Sequence, residues 1–525
     1  MGQPADNDKG VSPGFGRRKL LLGAGASAVI ACRKKAPAVI HSERDGPGIF
    51  AGVQAGDVGQ DWATIWGRSE EPAQMVVEWV AAGRRGRVLG PLVSADENYT
   101  GLTMLRDLPA GQTIDYQVYF VKELGRGRSA PRSGRLRTAP RERRSISLLW
   151  SGDTCGQGFG VGEPEGSHDV GSVGFKTYAT MAAHEPDLMV HCGDLIYADN
   201  PIEPALRLPD GRIWRNKTVA LRRKVAETLD EFRAAYRYNF IDKNFAKFHR
   251  EVATIFAWDD HEVLNNWYPT ELLSDERYSE RRVSVLATRA KRAFREYTAI
   301  ASPTIHRVIP YGPLLDLFVL DMRSFRGANT AGLERPRGPN TELLGRAQVN
   351  WLVEALRASR ATWRIVVSDM PLGLVVLDGF ARDALANGDP GPPLGREHEF
   401  AELLSRLKQL KVRNTVWLTA DVHYTAAHRY GPKNAVFKDF DPFWEFVSGP
   451  LHAGSFGPND LDPTFGPELR YIKAPGLNDQ RAAPSEGLQF FGKVEIAAKG
   501  MMTVTLRDRD DRALWSIDLP ADEHH

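Results

Sequence analysis

Five times along the chain a short apolar run breaks off at an acidic or histidine-bearing turn. Ile146–Trp150 leads into Ser151-Gly152-Asp153-Thr154-Cys155-Gly156-Gln157-Gly158, and Leu188–His191 leads into Cys192-Gly193-Asp194-Leu195-Ile196-Tyr197-Ala198-Asp199. Val252–Ala257 leads into Trp258-Asp259-Asp260-His261-Glu262-Val263-Leu264-Asn265-Asn266. Ile365–Val367 is followed by Ser368-Asp369-Met370-Pro371, and Val416–Thr419 by Ala420-Asp421-Val422-His423. Apolar runs this short, alternating with longer helical patterns, read as buried strands of a layered α/β domain. A sheet of that kind offers its ligand sites at the strand ends, so the five turns are expected to converge on one edge of the sheet. A single Asp-rich turn is ordinary turn chemistry. Five of them gathered beside a core require cations to balance the charge.

The second turn is the most specific. Gly193 lets the backbone turn sharply and come close to a bound ion. Asp194 presents a hard anionic oxygen, and Tyr197, three residues on, brings a phenol to the same point. A carboxylate paired with a phenol suits a hard Lewis acid such as Fe(III) better than a soft cation. Taken alone, the stretch also reads as a strand end with a turn-forming Gly-Asp and a core Tyr; the other four turns weigh against that.

A further strand is expected at Leu315–Leu320, and helices at Phe175–Ala183, Val219–Tyr236, Val283–Tyr297, Arg346–Leu356 and Glu399–Leu407. Val494–Ile496, Met502–Leu506 and Leu514–Ile517 read as strands returning to a sheet edge, and the Gly/Pro-rich run 386–395 as a surface loop near the site. The pattern from Phe50 to Thr138 differs. Trp62–Trp66, Met75–Trp79, Tyr99–Leu105 and Ile114–Val121 are short strands at close spacing, which predicts a small β-sandwich. Leu108-Pro109-Ala110-Gly111 followed by Tyr116 and Tyr119 resembles the tyrosine corner of fibronectin-like modules. A chain of 525 residues is too long for one ordinary core. The expected division is therefore a leader over 1–38, a fibronectin-like domain over 45–140 and an α/β domain over 145–520.

The leader carries Arg17-Arg18-Lys19 before the apolar run Leu20–Ala31, which is too short to span a bilayer comfortably. A twin arginine before a modest apolar region is the signal for export of folded protein by the Tat machinery. That route suits a protein that takes up its metal before export, and it predicts a periplasmic, secreted or lipid-anchored product. Val29-Ile30-Ala31-Cys32 resembles a lipoprotein box with Cys32 as the lipidated residue; cleavage after Ala36-Pro37-Ala38 is the alternative. Cys32, Cys155 and Cys192 are too few for a disulfide framework. A net charge of +2 argues against a nucleic-acid-coating role.

Taken together, the motifs from about Phe50 to Leu519 resemble the PhoD-type alkaline phosphatase/phosphodiesterase family of the calcineurin-like metallophosphoesterases. The residues that carry the resemblance are Asp153-Thr154-Cys155, Gly193-Asp194-Leu195-Ile196-Tyr197, Trp258-Asp259-Asp260-His261-Glu262 with Asn265-Asn266, Asp321-Met322-Arg323-Ser324-Phe325-Arg326, and Asp421-Val422-His423. The resemblance implies a four-layer α/β/β/α sandwich around a multinuclear centre of Fe(III) with Ca(II), acting on small phosphate esters. Three positions depart from the wider superfamily. Cys155 stands where Asp-x-His is usual, Asp260-His261-Glu262 replaces Asn-His-Glu, and Asp421-Val422-His423 replaces His-x-His. More oxygen ligands favour hard cations over a di-zinc site. Cys192 reads as a buried packing residue.

On this resemblance Asp194 bridges two metals. Cys155, Tyr197 and His423 or Asp421 complete the iron side with Asp153 nearby, while Asp260, Asn265 and Asp421 serve calcium. Hydroxide acidified by Fe(III) would attack phosphorus in line while both metals stabilise the pentacoordinate charge. His261 is the candidate to protonate the leaving alkoxide or bind a phosphate oxygen. Arg323 and Arg326 are candidates for a phosphoryl clamp, or for salt bridges at a strand end. Two other outcomes stay open: a diesterase specialised on phospholipid or nucleotide diesters, and a non-enzymatic exported binding protein with a degenerate metal centre.

Overall fold

In a computed structural model of the chain, residues 46–122, 127–165, 174–476 and 482–522 are described. The expected leader, with Arg17, Arg18 and Cys32, lies outside them. The expected α/β alternation appears as two large mixed sheets. In the first, the order is Thr254–Phe256, Leu188–His191, Ile146–Ser151, Phe490–Ile496, Met502–Asp508, Ala513–Leu519. Its first three strands are parallel and its last three antiparallel, so the chain's tail forms half of the sheet. In the second, Leu315–Val319, Trp363–Val367, Thr415–Thr419 and Phe443–Val447 are parallel at the centre. Antiparallel strands flank them: Arg307–Pro310 on one side, Thr425–Tyr430 and Pro467–Lys473 on the other.

Side-chain alternation along these strands sorts the core. Leu148, Trp150, Leu188 and Val190 of the first sheet share one apolar cluster with Leu317, Val319, Ile365, Val367, Val416 and Leu418 of the second. Their neighbours point the other way. Leu149, Met189 and Phe256 join a cluster with residues of α1 (Lys176–Ala182), α2 (Leu229–Asn239), α3 (Lys243–Glu251) and α4 (Val283–Tyr297). Phe318, Val366 and Trp417 join one with α5 (Gly345–Ala358) and α6 (Glu397–Gln409). Strands buried on both faces are why these segments read as unbroken apolar runs.

The expected helix Val219–Tyr236 is shorter and starts later. A single 3₁₀ turn occupies Ala220–Arg222, and α2 begins only after Thr228, whose hydroxyl accepts the Glu231 N–H in a capping box. The N-terminal region folds into a three-stranded sheet (Ile49–Val58, Ala63–Ser69, Thr100–Leu105) and a four-stranded one (Arg84–Val93, Ala73–Ala81, Thr113–Val121, Arg132–Arg137). The tyrosines do not bond back to Leu108–Gly111. Tyr116 donates to the Arg250 carbonyl at 3.0 Å and Tyr119 to Glu78 at 2.9 Å. Tyr116 is thus a tie to the end of α3, which a local motif could not reveal. Gln54 Nε2 and Thr64 Oγ1, donating to the carbonyls of Tyr297 and Ala299 at 2.6 Å each, and a buried Arg307–Asp57 pair at 2.8 Å fix the same region to the α/β part. Among the described residues no helix is long and apolar enough to cross a membrane.

Candidate metal centre

The acidic turns do meet, but at the ends of two sheets rather than one edge. Asp153, Asp194 and Asp260 follow neighbouring parallel strands of the first sheet; Asp369 and Asp421 follow neighbouring parallel strands of the second. Because the inner faces share one core, both sets of strand ends open at the same place. The turns are laced together: the Asp153 N–H donates to the Gly193 carbonyl at 3.2 Å and the Thr154 N–H to the Asp194 carbonyl at 2.8 Å. Buried Glu262 accepts the N–H groups of Asp194 (3.1 Å), Leu195 (2.6 Å) and Asp259 (2.7 Å), clamping two turns with one carboxylate. Asp153, Asp194, Asp421 and His423 all have left-handed backbones, with φ of 64°, 54°, 67° and 58°. Such conformations cost free energy outside glycine and gather where side chains must be aimed at one point. At Gly193 (φ 129°) a Cβ would lie 2.5 Å from that of Asp259, so this crossing of two turns admits only glycine.

Ligand atoms of Asp153, Asp194 and His423 lie within 4.8 Å of one another, and so do those of Asp194, Asp260 and His261. A third such group joins Asp259, Asp260 and Asp421. Asp194 is the member shared by the first two. Tyr197 stands beside the first: its hydroxyl is 2.7 Å from His423 Nε2, and its ring stacks on His261 with centroids 4.2 Å apart. The His423 Nδ1–H donates to the Gly454 carbonyl, which leaves Nε2 turned toward the carboxylates. His423 therefore sits on the Asp153–Tyr197 side and Asp421 on the Asp260 side.

The charge is poorly balanced within the protein itself. Burial, reinforced by neighbouring carboxylates, pushes Asp153, Asp194 and Asp421 well above the usual carboxylate range. Burial and then Asp194 raise the Tyr197 phenol, and burial lowers His423 to about 3. Neither oxygen of Asp153 has a hydrogen-bond partner, although the residue is fully buried. A carboxylate left bare among other acids is costly unless a cation completes it. The donor set of carboxylates, one imidazole and one phenol fits hard cations.

His261 is anchored on its own partner. Its Nδ1 is 2.7 Å from Asp199, which also accepts the Asn265 N–H at 3.1 Å. Burial works against a charged imidazole, but Asp199, Asp260 and Asp194 outweigh it and hold His261 well above its ordinary value. With 12% of its side chain exposed, His261 is more open to solvent than Asp153 or His423.

Four expected site residues are placed elsewhere. Cys155 is not drawn into the carboxylate groups. The turn sends its side chain into the apolar cluster beneath the helices, with Phe175 and Tyr178, and burial pushes its thiol up to about 12. Asn265 is exposed and meets the site only through its backbone N–H. Arg323 and Arg326 are buried in ion pairs rather than turned to a substrate. Arg323 contacts Asp259 at 2.6 Å, Asp383 at 2.9 Å and Asp369 at 3.2 Å, and Arg326 meets Asp383 at 2.9 Å. Of the groups that sequence reasoning left without a role, Asp199 and Glu262 lie inside the quoted motifs. Asp383 sits in an irregular segment with no pattern to mark it.

The family model for a PhoD-like phosphatase matches residues 152–506, and that for the N-terminal domain of PhoD-like phosphatases matches residues 34–140. Alkaline phosphatase D of Bacillus subtilis (strain 168) is 28% identical over 271 residues, covering 47% of this chain and 43% of the relative. The match thus spans less than half of that relative's length. A solved structure of PhoD superposes with a TM-score of 0.64 at 18% identity, covering 90% of this chain and 88% of the other. The purple acid phosphatase PPD1 from yellow lupin (Lupinus luteus) seeds gives 0.56 at 13% identity, covering 90% and 74%. These two likenesses establish a shared mixed α/β fold. The family match covers the strand ends that carry every carboxylate of the centre, and the chain belongs to the PhoD-like phosphatase family.

Proposed function

We propose that the chain is an exported, metal-dependent phosphoesterase that hydrolyses small phosphate monoesters, diesters or both. The observation that carries this reading is the convergence of Asp153, Asp194, Asp260 and His423, with both oxygens of buried Asp153 unpartnered. In this reading Asp153, Asp194, His423 and Tyr197 hold Fe(III), and Asp194, Asp260 and Asp421 hold Ca(II). The cations, when bound, activate water and neutralise charge on the phosphoryl oxygens. Asp194 serves both sides. His261, oriented through Nδ1 by Asp199, keeps Nε2 free to give a proton to the departing alkoxide. Cys155 is left as a packing residue, and the two arginines as ties that hold the acidic turns in place.

The same reading divides the chain into a Tat leader over 1–38, a fibronectin-like domain over 45–140 and a four-layer α/β/β/α catalytic domain over 145–520. The product is periplasmic, secreted, or lipid-anchored through Cys32. Phosphate release from a panel of mono- and diesters at alkaline pH, with and without a chelator, tests the activity. Chelator-sensitive release from at least one class supports it and identifies the class. No release from either by metal-loaded protein favours an exported binding protein instead. Within an active enzyme, Asp199→Asn should lower kcat about 10–100-fold, the range for losing an orienting partner, while leaving metal content unchanged.

A further inference from the structure

The third acidic group, Asp259–Asp260–Asp421, has a feature the other two lack. The guanidinium of Arg323 lies inside it, fully buried. Its Nη2 is 2.6 Å from Asp259 Oδ1, 3.9 Å from Asp421 Oδ1 and 4.0 Å from Asp260 Oδ1. Asp259 Oδ1 is also the acceptor for Arg323 Nε at 2.8 Å and for the Asp260 N–H at 2.8 Å. Two donors therefore occupy the lone pairs of one carboxylate oxygen, with the charged Nη2 in ion-pair contact beside them. By contrast, neither Asp153 oxygen in the first group accepts a well-formed hydrogen bond, and His423 Nε2 stands off at 3.7 Å. The far side of Arg323 is fixed as well: Nη1 donates to both oxygens of Asp383, at 2.9 and 3.0 Å. The guanidinium is held from both ends and cannot swing away to admit an ion.

We propose that Arg323 is the resident cation of this third group, so that Asp259 is a positioning residue and not a metal ligand. This rests on the metal-centre reading above and adds a boundary to it. A divalent ion placed among these three carboxylates would face a guanidinium at contact distance, and like charges that close repel strongly in a buried site. Arg323 instead orders the turn. By fixing Asp259 it fixes the oxygen that receives the Asp260 N–H, and so places the backbone from which the Asp260 carboxylate, held by the N–H groups of His261 and Asn266, reaches the centre. At 3.9 Å it also draws on Asp421 without taking it from a metal.

Elemental analysis of the full chain, purified and exposed to calcium, tests this with four proteins: wild type, Asp259→Asn, Asp260→Asn and Arg323→Gln. Asp259→Asn should keep the wild-type metal complement, and Asp260→Asn should lose about one equivalent. Arg323→Gln, which exposes the acidic group, should gain about one equivalent of calcium, a change that a merely structural arginine would not produce. Loss of an equivalent in Asp259→Asn would overturn the proposal and make Asp259 a ligand, whether or not Arg323→Gln folds. A folded Arg323→Gln protein with no added calcium would also overturn it. A wild type that binds no metal would instead remove the centre on which the proposal stands.

Discussion

Tyr197 and Cys155 show what residue type can and cannot disclose. Both are electron-rich donors within a few residues of a site carboxylate; spacing makes Tyr197 look like an iron ligand, and the family resemblance does the same for Cys155. Tyr197 lies against His423 and the carboxylates, whereas Cys155 joins a cluster of aromatic side chains. The difference comes from φ angles of +64° at Asp153 and +71° at Cys155, a double turn that no propensity or pattern announces. The iron assignment then makes a paired prediction. A phenolate on Fe(III) gives a broad visible band; Tyr197→Phe should bleach it and lower iron content, and Cys155→Ala should leave both unchanged. Absorption spectra with iron analysis check this, and a band that vanishes in Cys155→Ala would return the thiolate to the site.

At the scale of elements, the legible parts were those buried on both faces. Leu188–His191 and Val283–Tyr297 have the bounds their apolar pattern predicts, because the strand is covered by core on either side and the helix by a wide apolar stripe. Arg84–Val93 and Arg132–Arg137 are absent from the expected strands because they are basic edge strands with one face in water. Thr425–Tyr430 is hidden by its position directly after a site turn, and α3 by its run of polar residues. Which turns share a sheet was also illegible, since pairing across long separations leaves no local trace. Two of the turns are clamped by one side chain, Glu262, with three backbone N–H groups on it. Glu262→Ala should therefore cost on the order of 3–5 kcal/mol, as expected when buried donors lose a charged acceptor. It should also weaken metal binding about 10–100-fold. Urea unfolding and a metal titration measure the two effects, and a stability loss below about 1 kcal/mol would show that the turns hold themselves.

Across the whole molecule, the two sheets share one core, and the α/β part carries a further buried carboxyl device at the start of α6. Burial, then the facing Asp462, raise Glu397 from 4.5 to about 9. Glu397 also accepts N–H groups from Asn387 and Leu394, and Asp462 accepts that of Gly388, so the pair ties the Gly/Pro-rich loop to α6. Between those two values the folded chain keeps a proton on Glu397 that the unfolded chain has released, so stability falls as pH rises through the window. The full contribution is present below about 4.5 and is lost as pH passes about 9. One proton corresponds to about 1.4 kcal/mol per pH unit. Glu397→Gln should flatten that slope between pH 6 and 9 in about the same proportion, as read by unfolding free energy against pH; an unchanged slope would place the proton elsewhere.

The central claim is that one carboxylate, Asp194, belongs to both cation positions of a hydrolytic centre. It is tested most directly by measuring metal content and phosphate release on the same preparations of wild type and Asp194→Asn. The account predicts that the variant stays folded, loses both metals together and loses activity by more than ~100-fold, beyond what an outer-shell change costs. A folded Asp194→Asn protein that keeps the wild-type metals and still releases phosphate at the wild-type rate would contradict it.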